Sequence, residues 1–352
     1  MNANLALSVM LNALYFSGIQ AVARRKLQGC GAILMLHHVR DVPVNRFSPN
    51  AHLSISPAFL EQALLALKNK GVEFVSMDTL AERLAVASPG ASRPYIAITL
   101  DDGYRDNLEN AVPLFRKYHV PYTIYVAPGL TEGQAALWWE DLEAVIAARD
   151  QFVMHAPRKP VEFDASSHAK KRRIFGELVK FLTIDVSEIE QRRIVRELAW
   201  QAGVDASAHL LQSMMNWQEI SALANDPLCT IGAHGIDHFA LARLEASQAR
   251  SQMLESARII EMEAGIRPRH FAYPYGYRAA AGQREFGLAR ECGFATAVTT
   301  RHGVLHAAHN EHLHALPRIS LNGNFQKTRH VRTMLSGVTT VMANRGKLLN
   351  IT

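Results

Sequence analysis

PYIAITLDDG, residues 94–103, is the stretch that most directly indicates the fold. It is a short apolar run that ends in two aspartates, which is typical of a buried strand with polar side chains at its carboxyl end. GAILMLHHV (31–39) and VPYTIYVAP (120–128) have the same form, and segments with helical periodicity lie between these runs at 57–70 and 108–118. Such alternation predicts parallel βα units.

The strand pattern is interrupted in the middle of the chain and then resumes. From 137 to about 220 the pattern is helical and strongly charged, and we interpret its KKRR run at 170–173 as a solvated helix face. LCTIGAH (228–234), HFAYP (270–274) and ATAVTT (295–300) then supply further strands. The whole pattern predicts an α/β fold, either a barrel or a doubly wound sheet, with an inserted helical subdomain.

Composition excludes several classes of protein. With 352 residues, of which 48% are hydrophobic and 20% charged, the chain can bury a substantial core and lies outside the disordered and fibrous classes. The net charge of +6 comes from scattered residues, so we expect no nucleic-acid partner. Three widely spaced cysteines without a CxxC motif favour a reducing compartment over a disulfide framework.

The N-terminal segment is apolar, but it lacks the features of an export signal or a spanning helix. Its first basic residue, Arg24, follows the apolar part, and polar residues interrupt that part repeatedly. One helical stripe carries Leu7, Met10, Leu11 and Leu14. Because Leu5, Val9 and Phe16 lie off that stripe, we expect contacts on more than one side. We predict an amphipathic helix packed on its own domain, with interfacial membrane attachment as the alternative.

Candidate catalytic residues follow the predicted strands, where parallel α/β folds collect their chemistry. Asp101 and Asp102 end one strand, and His234 and His238 lie at and just after the end of another. Neighbouring carboxylates repel each other unless a cation or a proton separates them. One carboxylate and two imidazoles suit a divalent ion. We predict one such ion, with Zn²⁺ as first candidate, bound by Asp102, His234 and His238, and Asp101 as the base.

Four motifs resemble those of a known family. TLDDGYRDN (99–107) resembles the TFDDG motif of the polysaccharide deacetylases, the NodB-homology or carbohydrate esterase 4 group. HGIDH (234–238) resembles that family's H-S/T-x-x-H metal motif. FAYPYG (271–276) and LMLHHV (34–39) are similar to motifs of the subgroup that deacetylates poly-N-acetylglucosamine. The resemblance extends from about Ala32 to Leu321, excluding the insertion.

The resemblance implies a distorted (β/α) barrel, a divalent metal ion and hydrolysis of an N-acetyl group from an amino sugar in a saccharide. It places His37 as the general acid, with His38 packed or hydrogen-bonded behind it. The backbone N–H of Tyr275 is the candidate donor to the oxyanion, since Pro274 before it cannot donate.

Two positions depart from the family pattern. Gly235 stands where a hydroxyl residue is usual, which removes a hydrogen bond behind the metal site and predicts weaker metal affinity. Ala272 stands where other subgroups carry an arginine, and Arg318 in LPRISL is our candidate for orienting Asp101 instead.

The remaining candidates concern substrate contact and a second group of histidines. The candidate substrate-binding residues are Tyr104, Trp138, Tyr273 and Pro274. Trp138 and Trp139 can stack on a sugar ring, although aromatic residues that open a helix belong more often to the core. A dense set of histidines consists of His302, His306, His309, His312 and His314. It follows the last clear strand, and we interpret it as surface or loop rather than as a second metal site.

On this basis we divide the chain into five segments. They are an N-terminal amphipathic helix (1–29), the first part of a deacetylase barrel (30–136), a helical insertion (137–222), the second part of the barrel (223–325) and a C-terminal helical tail (326–352).

Three functions stay open at this point. The first is N-deacetylation of a saccharide, which is polymeric, lipid-linked or nucleotide-linked. The second is another metal-dependent amidohydrolase reaction on a non-sugar amide, and the third is saccharide binding without catalysis on the same scaffold. Acetate release distinguishes the first from the others. Without an export signal we expect a cytoplasmic protein with at most peripheral membrane contact through the N-terminal helix.

Overall fold

The computed structural model of the chain describes residues 3–41, 47–87, 94–155 and 159–351. The strands are β1 Gly31–Leu36, β2 His38–Val39, β3 Ser54–Ile55, β4 Glu73–Phe74, β5 Tyr95–Leu100, β6 Tyr122–Val126, β7 Gln151–His155, β8 Pro160–Asp164, β9 Cys229–Ala233, β10 His270–Ala272, β11 Thr296–His302 and β12 Leu316–Ser320. The α-helices are α1 Ala3–Phe16, α2 Ile19–Leu27, α3 Pro57–Lys68, α4 Met77–Ala85, α5 Val112–Tyr118, α6 Pro128–Thr131, α7 Trp138–Ala148, α8 His168–Ile184, α9 Glu188–Ala202, α10 Ala206–Ser213, α11 Trp217–Ala224, α12 Ala246–Ala264, α13 Gln283–Glu291, α14 Thr328–Leu335 and α15 Val338–Ala343.

Seven parallel strands close into a barrel. Their order is β1, β12, β11, β10, β9, β6 and β5, and β5 pairs with β1 to complete the ring. Strand β4 pairs with β5 outside this ring. The strand pattern alone left a doubly wound sheet open, and the closed ring confirms the barrel that the family resemblance implied.

Side chains of β5 alternate between the barrel interior and the surrounding helices. Ile98 and Leu100 belong to the apolar cluster that contains the helix residues, whereas Ala97 clusters with interior residues of other strands. Thr99 and Asp101 continue the interior side, because successive side chains of a strand point to opposite faces. Asp101 therefore projects into the opening at the carboxyl end of the barrel.

The insertion, residues 137–222, has an apolar core separate from that of the barrel. Leu142, Leu178 and Leu198 from α7, α8 and α9 contribute to it. Arg172 and Arg173 of the KKRR run are exposed on α8, as expected for a solvated face. The sequence did not predict the antiparallel hairpin of β7 and β8. These strands are short and bury only Met154 among their described residues, so their apolar alternation is weak.

The N-terminal segment differs from the prediction of a single helix over residues 1–29. Within the described part it forms two helices, α1 and α2, which are bent by 86° relative to each other. Gly18 separates them with a φ of 77°, a left-handed conformation that glycine adopts without steric penalty. No single helix of the described residues is long and apolar enough to cross a membrane, and α1 and α2 meet that test only as a bent pair.

The C-terminal segment, 326–352, is helical as expected and contains α14 and α15. Helix α14 packs against α1 and α3. The side-chain oxygen of Asn12 on α1 accepts hydrogen bonds from Arg329 Nε at 2.7 Å and from His330 Nε2 at 3.0 Å. The two ends of the chain therefore pack together on the outside of the barrel.

Candidate functional site

A cavity of about 550 Å³ opens at the carboxyl ends of the barrel strands. Barrel residues on its floor include Met35, His37, Asp101, Asp102, His234, His238, Tyr275 and Thr300. The insertion supplies one wall, through Trp138, Trp139, Phe175, Val179 and Thr183. The cavity wall is therefore mainly apolar and aromatic around a polar floor. The described lining residues include no lysine or arginine.

Asp102, His234 and His238 meet on this floor, as predicted. Their possible ligand atoms lie within 4.8 Å of one another, and all three residues are buried. Asp102 Oδ1 is 3.3 Å from His234 Nε2 and 3.2 Å from His238 Nε2. His234 Nδ1 donates to the Ala272 carbonyl at 2.7 Å, which leaves Nε2 with its lone pair directed at the group. This donor set and its spacing fit a divalent ion.

Backbone strain is concentrated at the same place. Among the described non-glycine residues, five have a positive φ, and three of these are Asp102 (75°), His238 (52°) and Tyr275 (60°). Such conformations are unfavourable and persist where the surrounding structure fixes them, which is common at functional sites. Each of these three residues turns the chain where a strand ends, so that its side chain or its amide faces the cavity.

Gln252 on α12 holds the loop that carries His238. Its Oε1 accepts from the amides of Ile236 at 2.9 Å and Asp237 at 3.0 Å, and its Nε2 donates to Asp237 Oδ2 at 2.6 Å. Gly235, which begins this loop, has a φ of 70°, where any other residue would be strained. The loop is therefore supported by a side chain from α12, although the hydroxyl usual at position 235 is absent.

Arg192 on α9 holds the same loop from the side of the insertion. Its Nη2 donates to the carbonyl of His238 at 2.8 Å, and its Nη1 pairs with Glu188 at 2.8 Å. The guanidinium lies over the ring of Phe239, 4.8 Å from its centre. Arg243 pairs with the other oxygen of Glu188 at 2.7 Å. A buried ionic group thus joins the insertion to the backbone of a candidate metal ligand.

Asp101 and Arg318 form a buried bidentate ion pair. Arg318 Nη1 and Nη2 each donate to one oxygen of Asp101 at 2.6 Å, and Nε donates to the Thr299 carbonyl at 2.9 Å. Burial alone would raise the pKa of Asp101, but the charge and hydrogen bonds of Arg318 outweigh it and hold that pKa below its usual range. The contact predicted for Arg318 is present, and Asp101 is kept ionised.

His37 lines the cavity, and His38 lies behind it, as expected. Burial lowers the pKa of His37 despite the nearby charges of Asp102 and Asp101. His38 is 2.6 Å from Asp106 and 3.0 Å from Glu140, and these two carboxylates outweigh its burial and raise its pKa. The pKa values of the two adjacent histidines therefore shift in opposite directions, and of the two only His37 lines this cavity.

The turn after β10 presents a free amide. The Tyr275 N–H has no acceptor among the residues that the structure describes. The Tyr275 carbonyl accepts from Thr300 Oγ1 at 2.6 Å, and the Gly276 amide donates to the Pro274 carbonyl at 2.7 Å. This turn is tightly fixed, which suits a donor that must stay in place as charge develops on a substrate oxygen.

Three of the residues predicted to contact substrate lie outside the described cavity lining. Tyr273 is fully buried and donates to the carbonyl of His314 at 2.9 Å, so its side chain lies in the core. Tyr104 is also fully buried. Its hydroxyl donates to Glu140 Oε1 at 3.0 Å, and its ring lies against that of His38. Pro274 is buried below the Tyr275 turn. None of the three belongs to the described cavity lining.

Trp138 and Trp139 do line the cavity, although both are mostly buried. Trp138 Nε1 donates to the Tyr275 hydroxyl at 2.7 Å. The Trp139 ring lies 4.9 Å from that of His238. Both side chains are therefore largely packed while they form part of the cavity wall, and stacking on a sugar ring stays a prediction.

The second group of histidines also departs from the prediction. It does not follow the last strand, because β12 comes after it in the sequence and closes the barrel. His309 is fully buried rather than on the surface. Its Nδ1 accepts from the amide of His306 at 3.0 Å. The interpretation as surface or loop holds only in part, because His302 is the last residue of β11, a short 3₁₀ helix spans Ala307–His312, and His309 is buried.

Arg192, Gln252, Phe175 and Val179 are functional candidates that the sequence did not reveal. Arg192 is one of two adjacent arginines on an amphipathic helix, and only its burial distinguishes it from its exposed neighbour. The apolar periodicity of α8 predicted core positions, and nothing in it indicated that Phe175 and Val179 face a cavity instead.

The chain has detectable relatives by family and by fold. The sequence model of the family described as polysaccharide deacetylase matches residues 89–174 and 181–296. The structure is similar to the deacetylase PplD of Streptococcus pyogenes in complex with acetate, with a TM-score of 0.56, 18% identity and coverage of 86% of this chain and 97% of that chain. It is also similar to IcaB of Ammonifex degensii (TM-score 0.54, 17% identity, coverage 88% and 99%). The polysaccharide deacetylase BC0361 of Bacillus cereus has a TM-score of 0.54 at 14% identity, with coverage of 87% and 68%. A search of curated proteins found no match.

Proposed function

Because the chain belongs to the polysaccharide deacetylase family, we propose that it is a metal-dependent N-deacetylase that hydrolyses an N-acetyl group of an amino sugar in a saccharide and releases acetate. The observation that carries this proposal is the buried group of Asp102, His234 and His238 on the floor of the cavity. Apart from the two imidazole Nε2 atoms that face it, Asp102 Oδ1 has no hydrogen-bond donor among the described residues, and a cation bound between these three atoms would compensate its burial.

Asp102, His234 and His238 would hold the ion, which supplies Lewis-acid activation when bound. Asp101 accepts the proton of the water molecule that attacks the acetamide carbonyl carbon, and the two hydrogen bonds from Arg318 hold its carboxylate ionised and fixed in orientation. The free amide of Tyr275 donates to the oxygen of the acetamide carbonyl as negative charge develops there.

The amine of the sugar leaves poorly as an anion, so its nitrogen must receive a proton. His37 is the donor in this proposal, because it lines the cavity beside the two aspartates. Burial lowers its pKa, which makes its protonated form a stronger acid than an ordinary imidazolium.

The cavity lining favours an uncharged sugar. Aromatic side chains suited to stacking on a pyranose ring surround the floor, and no lysine or arginine among the described lining residues is available for a phosphate. The acetate in the Streptococcus pyogenes structure is the product proposed here. We therefore expect an oligosaccharide or polymer end to be a better substrate than a nucleotide sugar.

The test is an acetate-release assay with the metal-loaded protein. Substrates are N-acetylglucosamine oligomers with different linkages, a nucleotide-linked N-acetylglucosamine and a non-sugar N-acetyl amide, and controls are a chelator and Asp102→Asn. Release from an oligomer that the chelator abolishes supports the proposal. Saccharide binding without acetate release would favour a binding protein, and release from the non-sugar amide alone would favour another amidohydrolase.

A further inference from the structure

Helix α1 is apolar on two opposite faces, and only one face is covered. Leu11 on the inner face is 1% exposed, and this face packs against α14. On the outer face Leu5, Val9 and Phe16 are 56%, 54% and 73% exposed. At 3.6 residues per turn these three side chains lie within about 40° of one another. The stripe predicted from the sequence is therefore packed only in part, since Leu7 is 39% exposed, and the residues off it form a second, uncovered stripe.

Helix α2, which follows the bend at Gly18, also has exposed apolar residues. Ile19 is 50% exposed and Val22 is 74% exposed, whereas Gln20 on the opposite side is buried. We call Leu5, Val9, Phe16, Ile19 and Val22 the outer stripe. Scattered exposed apolar residues are ordinary, but an aligned series on one helix, followed by two more on the next, indicates a binding surface.

The charges beside the outer stripe all have one sign. Arg24, Arg25 and Lys26 are exposed at the end of α2. The first acidic residue of the sequence is Asp41, so the helices carry no negative charge to balance them. An apolar stripe flanked by basic residues is the pattern of helices that lie in the interface of an anionic membrane.

A cavity of about 180 Å³ lies between α2 and the amino ends of β1 and β5. Arg24, Lys70 and Arg332 line it together with Gln20, Gln28 and Ser336. Its described lining includes no acidic residue. Three cationic side chains and several hydrogen-bonding groups around one space suit an anionic headgroup. This cavity is at the opposite end of the barrel from the catalytic cavity.

We propose that α1 and α2 bind the surface of an anionic lipid bilayer, with the outer stripe in the acyl boundary and the basic cavity on a lipid headgroup. The helices lie on the membrane and do not cross it, because α1 packs against α14 and α2 packs against α15. A second copy of the chain is a poor occupant, since a symmetric contact through this face would bring two sets of Arg24, Arg25 and Lys26 together.

The test is co-sedimentation of the full chain with vesicles of phosphatidylcholine alone, or of phosphatidylcholine with phosphatidylglycerol. One variant combines Leu5→Ser, Val9→Ser and Phe16→Ser. Its matched control combines Ile189→Ser, Leu211→Ser and Met262→Ser, which are 73%, 55% and 61% exposed elsewhere on the surface. A third variant combines Arg25→Gln, Lys26→Gln and Lys70→Gln. Light scattering on the same samples reports oligomeric state.

We expect binding to the phosphatidylglycerol vesicles that weakens about tenfold or more in the outer-stripe variant and is unchanged in the matched control. The charge variant should lose the preference for the anionic lipid, and added salt should have the same effect. Equal binding by the outer-stripe variant and the unmodified chain would overturn the proposal. A dimer that forms without lipid and disappears in the outer-stripe variant would overturn it in favour of a second copy.

Discussion

The sequence contains two groups of histidines that look alike in composition and differ in the structure. His234 and His238 converge on Asp102 at distances of 3.3 and 3.2 Å. His306 and His309 stack with ring centres 6.2 Å apart, and His302 and His314 bond to a threonine and to a backbone carbonyl. In the second group no ion pair with a carboxylate forms among the described residues, and Nε2 of His306 and of His309 is buried without a hydrogen-bond partner.

The difference shows that the number of histidines in a segment is a poor guide to metal binding. A site needs lone pairs directed at one point and a negative charge there, and the first group obtains both from different strands. In the second group burial without a carboxylate lowers the pKa values of His302 and His309 to about 4. These histidines stay neutral and belong to the core.

We expect the largest effect when one histidine of each group is replaced and the two variants are compared. His238→Ala should remove the bound ion and reduce acetate release to background, because two ligands leave too weak a site. His309→Gln should keep both the ion and the activity. Metal content by atomic spectroscopy and acetate release, measured on the same samples, check this. A metal-free but active His238→Ala protein would refute the metal-site assignment.

The next effect separates the two aspartates of the first group. Asp101→Asn should keep the ion but lower turnover by about 10² to 10⁴, the usual range for a lost general base. Asp102→Asn should weaken metal binding, and excess metal should partly restore its activity. Loss of the ion from Asp101→Asn with retention in Asp102→Asn would mean that the two roles are reversed.

A smaller effect tests whether contacts from the insertion hold the loop of the first group in place. Arg192→Gln should lower metal affinity by about 10- to 100-fold, the range seen when a group supporting a ligand is lost. Arg243→Gln is the control, because Arg243 pairs with the same Glu188 but does not touch the His238 loop. If Arg192→Gln and Arg243→Gln bind the metal with equal affinity and lose similar amounts of thermal stability, Arg192 is a purely structural residue. Arg192→Lys should recover part of the affinity.

The last prediction concerns the second group of histidines, for which we expect an effect on stability and none on activity. The folded-state pKa values of His302 and His309, about 4, lie below the ordinary value of 6.5. The unfolded chain therefore binds more protons between these values, and the free energy of unfolding should fall as pH falls from about 6.5 to about 4. The cost is at most about 3 kcal/mol for each histidine.

Denaturant unfolding at several pH values checks this expectation. His309→Gln should flatten the dependence by removing one titrating group, while acetate release at neutral pH stays unchanged. An unchanged slope in this variant would mean that His309 is accessible to protons in the folded state.

The sequence was sufficient for the parts of the fold that have strong local patterns. The buried strands β1, β5 and β6 have continuous apolar runs, and the residues that end them carry the chemistry, so Asp101, Asp102, His234 and His238 could be found together. β12 was not predicted, because LPRIS contains a proline and a buried arginine. An arginine is unexpected in a buried strand, and only the structure shows that Arg318 is paired with Asp101 there.

Other features depend on contacts between distant segments, which local patterns do not encode. Tyr273 and Tyr104 were predicted near substrate because they adjoin catalytic motifs, but strand alternation and packing turn both side chains into the core. In the N-terminal segment the predicted packing on the same domain holds for Leu11. The residues off the stripe, for which contacts were also expected, are exposed, because no element of the described chain covers that side of α1. The segment boundaries themselves stay a prediction.

Closure of the barrel by β12 makes the order of synthesis important for this protein. Arg318 follows Asp101 by 217 residues, so a growing chain carries the carboxylate long before the guanidinium that compensates it. Until β12 docks, one edge of β1 and one edge of β11 remain unpaired, which exposes hydrogen-bonding groups to other chains. We expect chains that end before β12 to be aggregation-prone and inactive rather than partly active. On the proposed function, we therefore expect acetate release to be acquired in a single late step, when β12 docks.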